Sequence, residues 1–337
     1  AILASNAWNI SGLTETVTLA TGFELKNGYI LYAKIDNPGQ TPANWDIWET
    51  EEMFMPEAHF FVDGVKGSDT HGTGTQYYPY KTLTAALAAL GTGSTHTVIH
   101  LMSSLTEDLN ITQAYQNKLI YGSPAVSDSQ QRQILGNHII ANAAATRLRF
   151  KDVILTGAAA VDDYVLTING TAGRHYFENA SFMPGAASSG KAIKFMGANA
   201  RWHEFYNCYV GGIVECLSTT TTMSAKFTRQ LAGEFKLLMT NPCSVQIYEA
   251  QRFNQMVHSA GKLQINGLYE SWNATDTDAI VSTATAGATS LLEVLNAKLI
   301  DTAGNWKAIN KTGDCDYILD NVIDKSGIHT LTGTRLN

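Results

Sequence analysis

Arg149-Phe150-Lys151-Asp152-Val153, Tyr176-Phe177-Glu178-Asn179-Ala180 and Glu204-Phe205-Tyr206-Asn207-Cys208 are three copies of one pattern. Each ends a strand-like run in Phe, passes one residue, places an Asp or Asn, and continues with an apolar or small residue. Looser copies follow at Phe235-Lys236-Leu237 and at segments ending in Asn266, Asn296 and Asn321. Two before the Asx position stand Phe150, Phe177, Phe205, Phe235, Gln264, Val294 and Leu319. The Asx position reads Asp152, Asn179, Asn207, Leu237, Asn266, Asn296 and Asn321. One beyond it stand Val153, Ala180, Cys208, Leu238, Gly267, Ala297 and Val322.

A column that recurs at a nearly constant step marks stacked repeats, each burying its apolar face against its neighbours. Strands of adjacent coils lie about 4.8 Å apart, so like residues meet like residues. The Phe column stacks inside. Asn tolerates positive φ at the turn, and its amide can bond the Asn of the next coil. This makes the Asn column a turn ladder rather than a binding ladder. A second strand recurs between copies, at Val165–Ile168, Ala192–Phe195 and Ser244–Ile247. Two or three strands in each coil of about 28 residues describe an all-β solenoid, a parallel β-helix.

Working outward, residues 96–337 form the solenoid and residues 58–95 lead into it. Phe60-Phe61-Val62-Asp63-Gly64 reads as a strand and Lys66–Thr75 as a Gly-rich loop. The loop lacks GxxxxGKS and GxGxxG, so it reads as surface rather than phosphate cradle. Leu83, Ala86, Leu87 and Leu90 are spaced i, i+3, i+4, i+7, which predicts a short helix, with Thr82 as N-cap and Gly91 just past its end. Residues 1–57 read as a separate small β module. Asn27-Gly28 between Phe23–Lys26 and Tyr29–Tyr32 predicts a hairpin there, and Glu49, Glu51 and Glu52 form an acidic exit.

Composition narrows the function. Of 337 residues 45% are hydrophobic and 16% charged, against about 25% charged for ordinary soluble domains, which excludes a disordered chain. The net charge is −7, with 23 Lys and Arg against 30 Asp and Glu, and no basic stripe for phosphate binding, so no nucleic acid is expected. Cys208, Cys216, Cys243 and Cys315 lack metal-ligand spacing, so no metal or cofactor is expected, and free buried thiols are the expected state. No apolar run approaches membrane-spanning length, so no membrane insertion is expected, and Ala1–Asn6 does not read as a signal peptide.

The entry segment Val62-Asp63-Gly64, Gly67-Ser68-Asp69, Gly72-Thr73, Pro79-Tyr80-Lys81-Thr82 and Ala85-Ala86-Leu87 resembles that of right-handed parallel β-helix proteins of the pectate-lyase-like superfamily. There a short helix caps the first coil. With its N-terminal β module, the chain looks most like a bacteriophage tailspike or tail fibre. The resemblance implies a virion protein, assembled in the host cytoplasm as a homotrimer. It would bind a host surface glycan or receptor and contact other tail or capsid proteins through residues 1–57. Two alternatives stay open: a polysaccharide depolymerase of glycoside-hydrolase type on the same fold, and a purely architectural tail or capsid component. The calcium-binding Asp clusters and the Arg or Lys base of the lyases have no counterpart here.

The repeat spacing places Glu204 and Glu234 one coil apart on one face. Two carboxylates about 5 Å apart are the geometry of a retaining glycosidase, which makes this pair the catalytic candidate. Trp202, His203, Tyr206 and Tyr209 lie close by in sequence and are candidates for stacking on sugar rings. Leu263 occupies the following coil at the same position, so no third carboxylate adjoins the pair, and binding is favoured over catalysis.

Overall fold

The computed structural model describes residues 58–337 apart from 123–130, 142–145, 161, 170–172, 187–189, 198–201, 230–234, 251, 272–277, 286–289, 300–308, 325–328, 332–333 and 337. Within 1–57 it describes five short strands. The chain divides into two compact units, Ala1–Glu57 and Ala58–Asn337.

In the first unit Ile2–Leu3, Ala7–Asn9 and Thr16–Thr18 form an antiparallel three-stranded sheet, and Tyr29–Ala33 pairs antiparallel with Trp45–Glu49. The first arm and turn of the hairpin expected at Asn27-Gly28 lie outside the described residues.

The second unit is a parallel β-helix. Its long sheet runs in chain order through Ala58–Val62, Thr97–Leu101, Lys118–Tyr121, Thr146–Lys151, Gly173–Glu178, Trp202–Tyr206, Ser224–Thr228, Ser244–Tyr248, Lys262–Ser271, Leu291–Leu299 and Asp316–Asp320. A ten-stranded sheet forms a second face, and a five-stranded sheet from Leu105–Thr106 to Tyr209–Val210 forms a third. Each strand pairs in parallel with its counterpart one coil away, as a solenoid requires.

Side chains alternate in and out along every strand, and the register turns that alternation into columns. The inward column of the long sheet is Ile99, Ile120, Phe150, Phe177, Phe205, Phe227, Ile247, Ile265, Val294 and Leu319. Phe150, Phe177, Phe205 and Phe227 stack nearly face to face, with centroids 5.2, 4.8 and 4.6 Å apart. Five of the seven expected column members, Phe150, Phe177, Phe205, Val294 and Leu319, are in it, and Phe235 and Gln264 are not. Phe235 is buried but precedes Lys236–Met239 of the second face, and its ring tilts 47° from that of Phe227. Leu237 pairs with Val214 and Met256 there. Gln264 points outward beside Gln246, and Ile265 fills the column.

The physical reason is coil length. From Phe205 the chain reaches the column again at Phe227, Ile247 and Ile265, three rungs where a constant step of about 28 residues allows two. The second of these coils passes from Ser224–Thr228 to Lys236–Met239 with no strand of the third face among its described residues. Ser244–Ile247, expected as a second-face strand, consequently belongs to the long sheet.

From Asp152 onward the turn after the long sheet keeps one backbone geometry. Asp152, Asn179, Asn207, Arg229, Glu249, Asn296 and Asn321 have φ between 49° and 55°, and Gly267 has φ 76°. The ladder bonds run Asn179 Nδ2 to Asp152 Oδ1 (3.0 Å), Asn207 Nδ2 to Asn179 Oδ1 (2.7 Å) and Asn321 Nδ2 to Asn296 Oδ1 (2.8 Å). Asn296 Nδ2 also donates to Asn266 Oδ1, 3.0 Å away. Left-handed backbone costs an ordinary L-residue about 1–2 kcal/mol, less for Asn. Arg229 and Glu249 carry that cost without an amide to offset it.

Both expected helix ends are present on Leu83–Leu90. Thr82 Oγ1 accepts from Ala85 N, and Gly91, at φ 62°, returns its N–H to Leu87 O and Ala88 O. Leu83, Ala86 and Leu87 join the solenoid core with Val62 and Leu105, which shields the first coil. Carboxylates already occupy the helix N-terminus: Asp69 accepts from Lys81 N and Thr82 N, and Glu107 from Leu83 N and Thr84 N. The Gly-rich loop also covers the first strand, through Phe61 N to Gly74 O, Tyr80 N to Phe61 O and Asp63 N to Tyr80 O. Gly74 sits at φ 78°, with the Phe60 ring where a Cβ would lie. At the far end Thr334 and Leu336 bond along Tyr317, so part of the last strand is covered as well. Cys208, Cys216, Cys243 and Cys315 are buried free thiols. No helix among the described residues is long and apolar enough to cross a membrane.

Candidate functional site: the outer face of the long sheet

Trp202–Tyr206 alternates about the core. Phe205 and His203 point inward and are buried, while Trp202, Glu204 and Tyr206 point outward. Parallel register extends this into a lattice. On the preceding rung the outward residues are Arg174, Tyr176 and Glu178; on the one before that, Arg147, Arg149 and Lys151. Beyond Trp202–Tyr206 come Ser224, Lys226 and Thr228, then Ser244, Gln246 and Tyr248.

The lattice is rich in rings with cations upon them. Arg174 lies over the indole of Trp202, 5.1 Å from its centroid, and Tyr176 meets that indole edge-on at 5.8 Å. Arg229 lies 5.7 Å from the Tyr206 centroid and Lys226 5.4 Å from that of Tyr248. Each such contact draws the cation to the negative face of the ring and holds the ring in place. On the adjoining rungs Glu178 takes both Lys151, at 2.6 Å, and Arg149. Burial raises the Glu178 carboxyl, but the bonds to Lys151 and Arg149 outweigh it and hold its pKa below the ordinary value. Nearer the cap the same face carries His59, Phe61, His100 and Tyr121. Phe61 stacks on His100 at 4.9 Å, and Tyr121 meets His100 edge-on.

At the turn edge of this face, Arg229 Nε donates to Glu249 Oε2 at 3.0 Å and Arg229 Nη1 donates to Tyr206 Oη at 2.9 Å. All three side chains reach solvent: Arg229 is 59% and Glu249 51% exposed, and Tyr206 is 43% exposed as a residue. An exposed ion pair of this kind is screened by solvent and adds little to stability.

The sequence-derived candidates divide accordingly. Trp202 and Tyr206 share the lattice. His203 does not: it is inside, stacked on His175 at 5.2 Å and against Phe195, because alternation forbids Trp202 and His203 from sharing a face. Tyr209 opens the last strand of the third face, beside Ser181, on a different side of the solenoid. In the next coil Glu204 stands in register with Lys226. Glu234 lies outside the described residues. Sequence reasoning missed Arg174, Tyr176, Lys226, Arg229, Tyr248 and Glu249. Alternation within Gly173–Glu178 and Ser224–Thr228 carries the signal, but it shows once the rung at Phe227 is recognised. Among the described residues no three His, Cys, Asp or Glu side chains gather as metal ligands would.

Fold and face together define a parallel β-helix protein with an aromatic and cationic lattice on one outer sheet. No family model matches the sequence, and a search of curated proteins finds no match. Among solved structures the chain is similar to the pectin methylesterase from Aspergillus niger in deglycosylated form, at 12% identity and a TM-score of 0.40, over 84% of this chain and 92% of that one.

Proposed function

We propose that this chain is a glycan-binding β-helix whose ligand lies on the outer face of the long sheet, along the solenoid axis. The supporting observation is the lattice of Tyr176, Trp202, Tyr206 and Tyr248 with Arg174, Arg229 and Lys226 held upon it. Rings offer sugars an apolar surface, and their polar partners offer hydrogen bonds. Rungs recur at about 4.8 Å, close to the length of one pyranose, so an extended glycan meets one rung per sugar. Binding is favoured over cleavage because Lys226 stands where a glycosidase of the expected kind needs its second carboxylate. The setting comes from the resemblance of the entry segment to phage tailspikes: a homotrimeric virion protein, docked through residues 1–57 to other tail or capsid proteins and attaching the particle to a host surface glycan.

The experiment is an array of neutral and uronate-containing oligosaccharides, probed with the whole chain and with Trp202→Ala. Binding by the unaltered chain and its loss in the variant is the expected result. Silence of the unaltered chain across the array, with its fold intact by circular dichroism, overturns the reading.

A further inference from the structure

The turn positions between Asn207 and Asn296 are Arg229, Glu249 and Gly267, and the first two of these put long charged side chains where the ladder has Asx. Arg229 N donates to Tyr248 O at 2.9 Å and Glu249 N to Asn266 O at 2.9 Å, matching the bonds of Asn179 N to Tyr206 O and Asn207 N to Thr228 O. Arg229 and Glu249 therefore stand in ladder positions, at φ 54° each. Their backbone is one that Asn and Gly adopt readily and that long charged residues rarely adopt. Residues in such a conformation persist where the surrounding structure over-determines them, and they gather at functional sites. The exposed ion pair they form is a weak source of stability. It lies at the margin of the aromatic lattice, bonded to Tyr206.

We infer that Arg229 and Glu249 are the specificity-determining pair of the glycan face, reading two neighbouring hydroxyls of one sugar ring beside Tyr206. This inference rests on the glycan reading and deepens it. The left-handed turn projects both side chains from adjacent rungs, so a guanidinium donor and a carboxylate acceptor stand 3.0 Å apart. A sugar hydroxyl both donates and accepts. One hydroxyl accepts from the guanidinium N–H groups not used by Glu249 and Tyr206, and its neighbour donates to the carboxylate. A sugar lacking either hydroxyl covers one of the two charged groups without giving it a hydrogen bond, which is a source of discrimination.

The test is the double variant Arg229→Asn with Glu249→Asn. It continues the ladder from Asn207, so it is expected to melt a few degrees higher than the unaltered chain and to lose at least tenfold in binding on the oligosaccharide array. A second variant, Glu249→Gln, keeps the side-chain length and removes the anion; it is expected to weaken binding several-fold with little change in melting temperature. A double variant that binds as well as the unaltered chain overturns the inference, and so does one that melts lower or fails to fold. If Trp202→Ala abolishes binding while the double variant retains it, the glycan face stands and this inference alone falls. If the unaltered chain binds nothing, both fall together.

Discussion

Phe205 stacks on Phe227 with ring centroids 4.6 Å apart and planes 13° from parallel, although Phe235 fits the repeat spacing better. The coil between Phe205 and Phe227 is shorter than the three before it, and this shortening moves every later rung. It brings Lys226 beside Glu204 and places Tyr248 on the same face as Trp202 and Tyr206. The identity of the outer lattice follows from that stacking.

Phe205 lies between Phe177 at 4.8 Å and Phe227 at 4.6 Å and is fully buried. Phe205→Ala is expected to destabilise the solenoid by about 3–5 kcal/mol, combining lost transfer energy with an unfilled cavity. Urea denaturation followed by far-ultraviolet circular dichroism measures this. A loss below about 1 kcal/mol contradicts the stacked column.

Asn179 occupies φ 50°, donates to Asp152 and accepts from Asn207. Asn179→Ala combines a left-handed penalty of about 1–2 kcal/mol with two lost hydrogen bonds of about 1 kcal/mol each, so a fall of about 3 kcal/mol is expected. Asn179→Gly relieves the backbone and is expected to lose about half as much. Equal losses in the two variants, read from denaturation midpoints, contradict the turn assignment.

Burial sets a pH dependence. It holds His175 down to about 3 and His138 down to about 4. In the unfolded chain a histidine titrates near about 6.5. Below that pH the unfolded state takes up protons that the folded state refuses, so stability rises with pH over this range. The contribution is complete above about pH 6.5 and is lost as pH falls toward the folded values. Each such histidine contributes a slope of up to about 1.4 kcal/mol per pH unit. Urea midpoints at pH 7, 5.5 and 4.5 are expected to decline. His175→Phe, which keeps an aromatic against His203, is expected to flatten the decline, and an unchanged slope in that variant counts against the assignment.

Trp202 is half-buried and outward, and His203 is buried and inward. Trp202→Ala is expected to change stability by no more than about 1 kcal/mol while reducing oligosaccharide binding at least tenfold. His203→Ala is expected to do the reverse, lowering the denaturation midpoint and leaving glycan affinity within about twofold under folding conditions. The pair separates a surface role from a core role by measuring both quantities on both variants.

If the chain assembles as the proposed homotrimer, light scattering at micromolar concentration is expected to return three chain masses. A monodisperse monomer counts against that assembly.

The parallel β-helix, the capping helix and the left-handed Asx turn are legible in the chain of residues alone. Each is written in local chemistry: Phe, one residue, then Asn at Phe177 and Phe205; Thr82 and Gly91 bracketing an apolar helical stripe; Asn-rich turns at 179, 207, 296 and 321. Alternation along Trp202–Tyr206 also decided that His203 and Glu204 point opposite ways, although reading candidates by their closeness in sequence hid this. The register between coils is set by how the folded chain closes each turn. A coil closes when its chain has passed round the faces, and its residue count depends on whether the third-face strand is present and how long the loops run. Phe227, Ile247 and Ile265 therefore follow at shorter steps than Phe177 and Phe205, and no local pattern announces the change. Which outward residues become neighbours, Glu204 with Lys226 or Arg229 with Glu249, depends on that count, because adjacency in a solenoid is set one whole coil away along the chain.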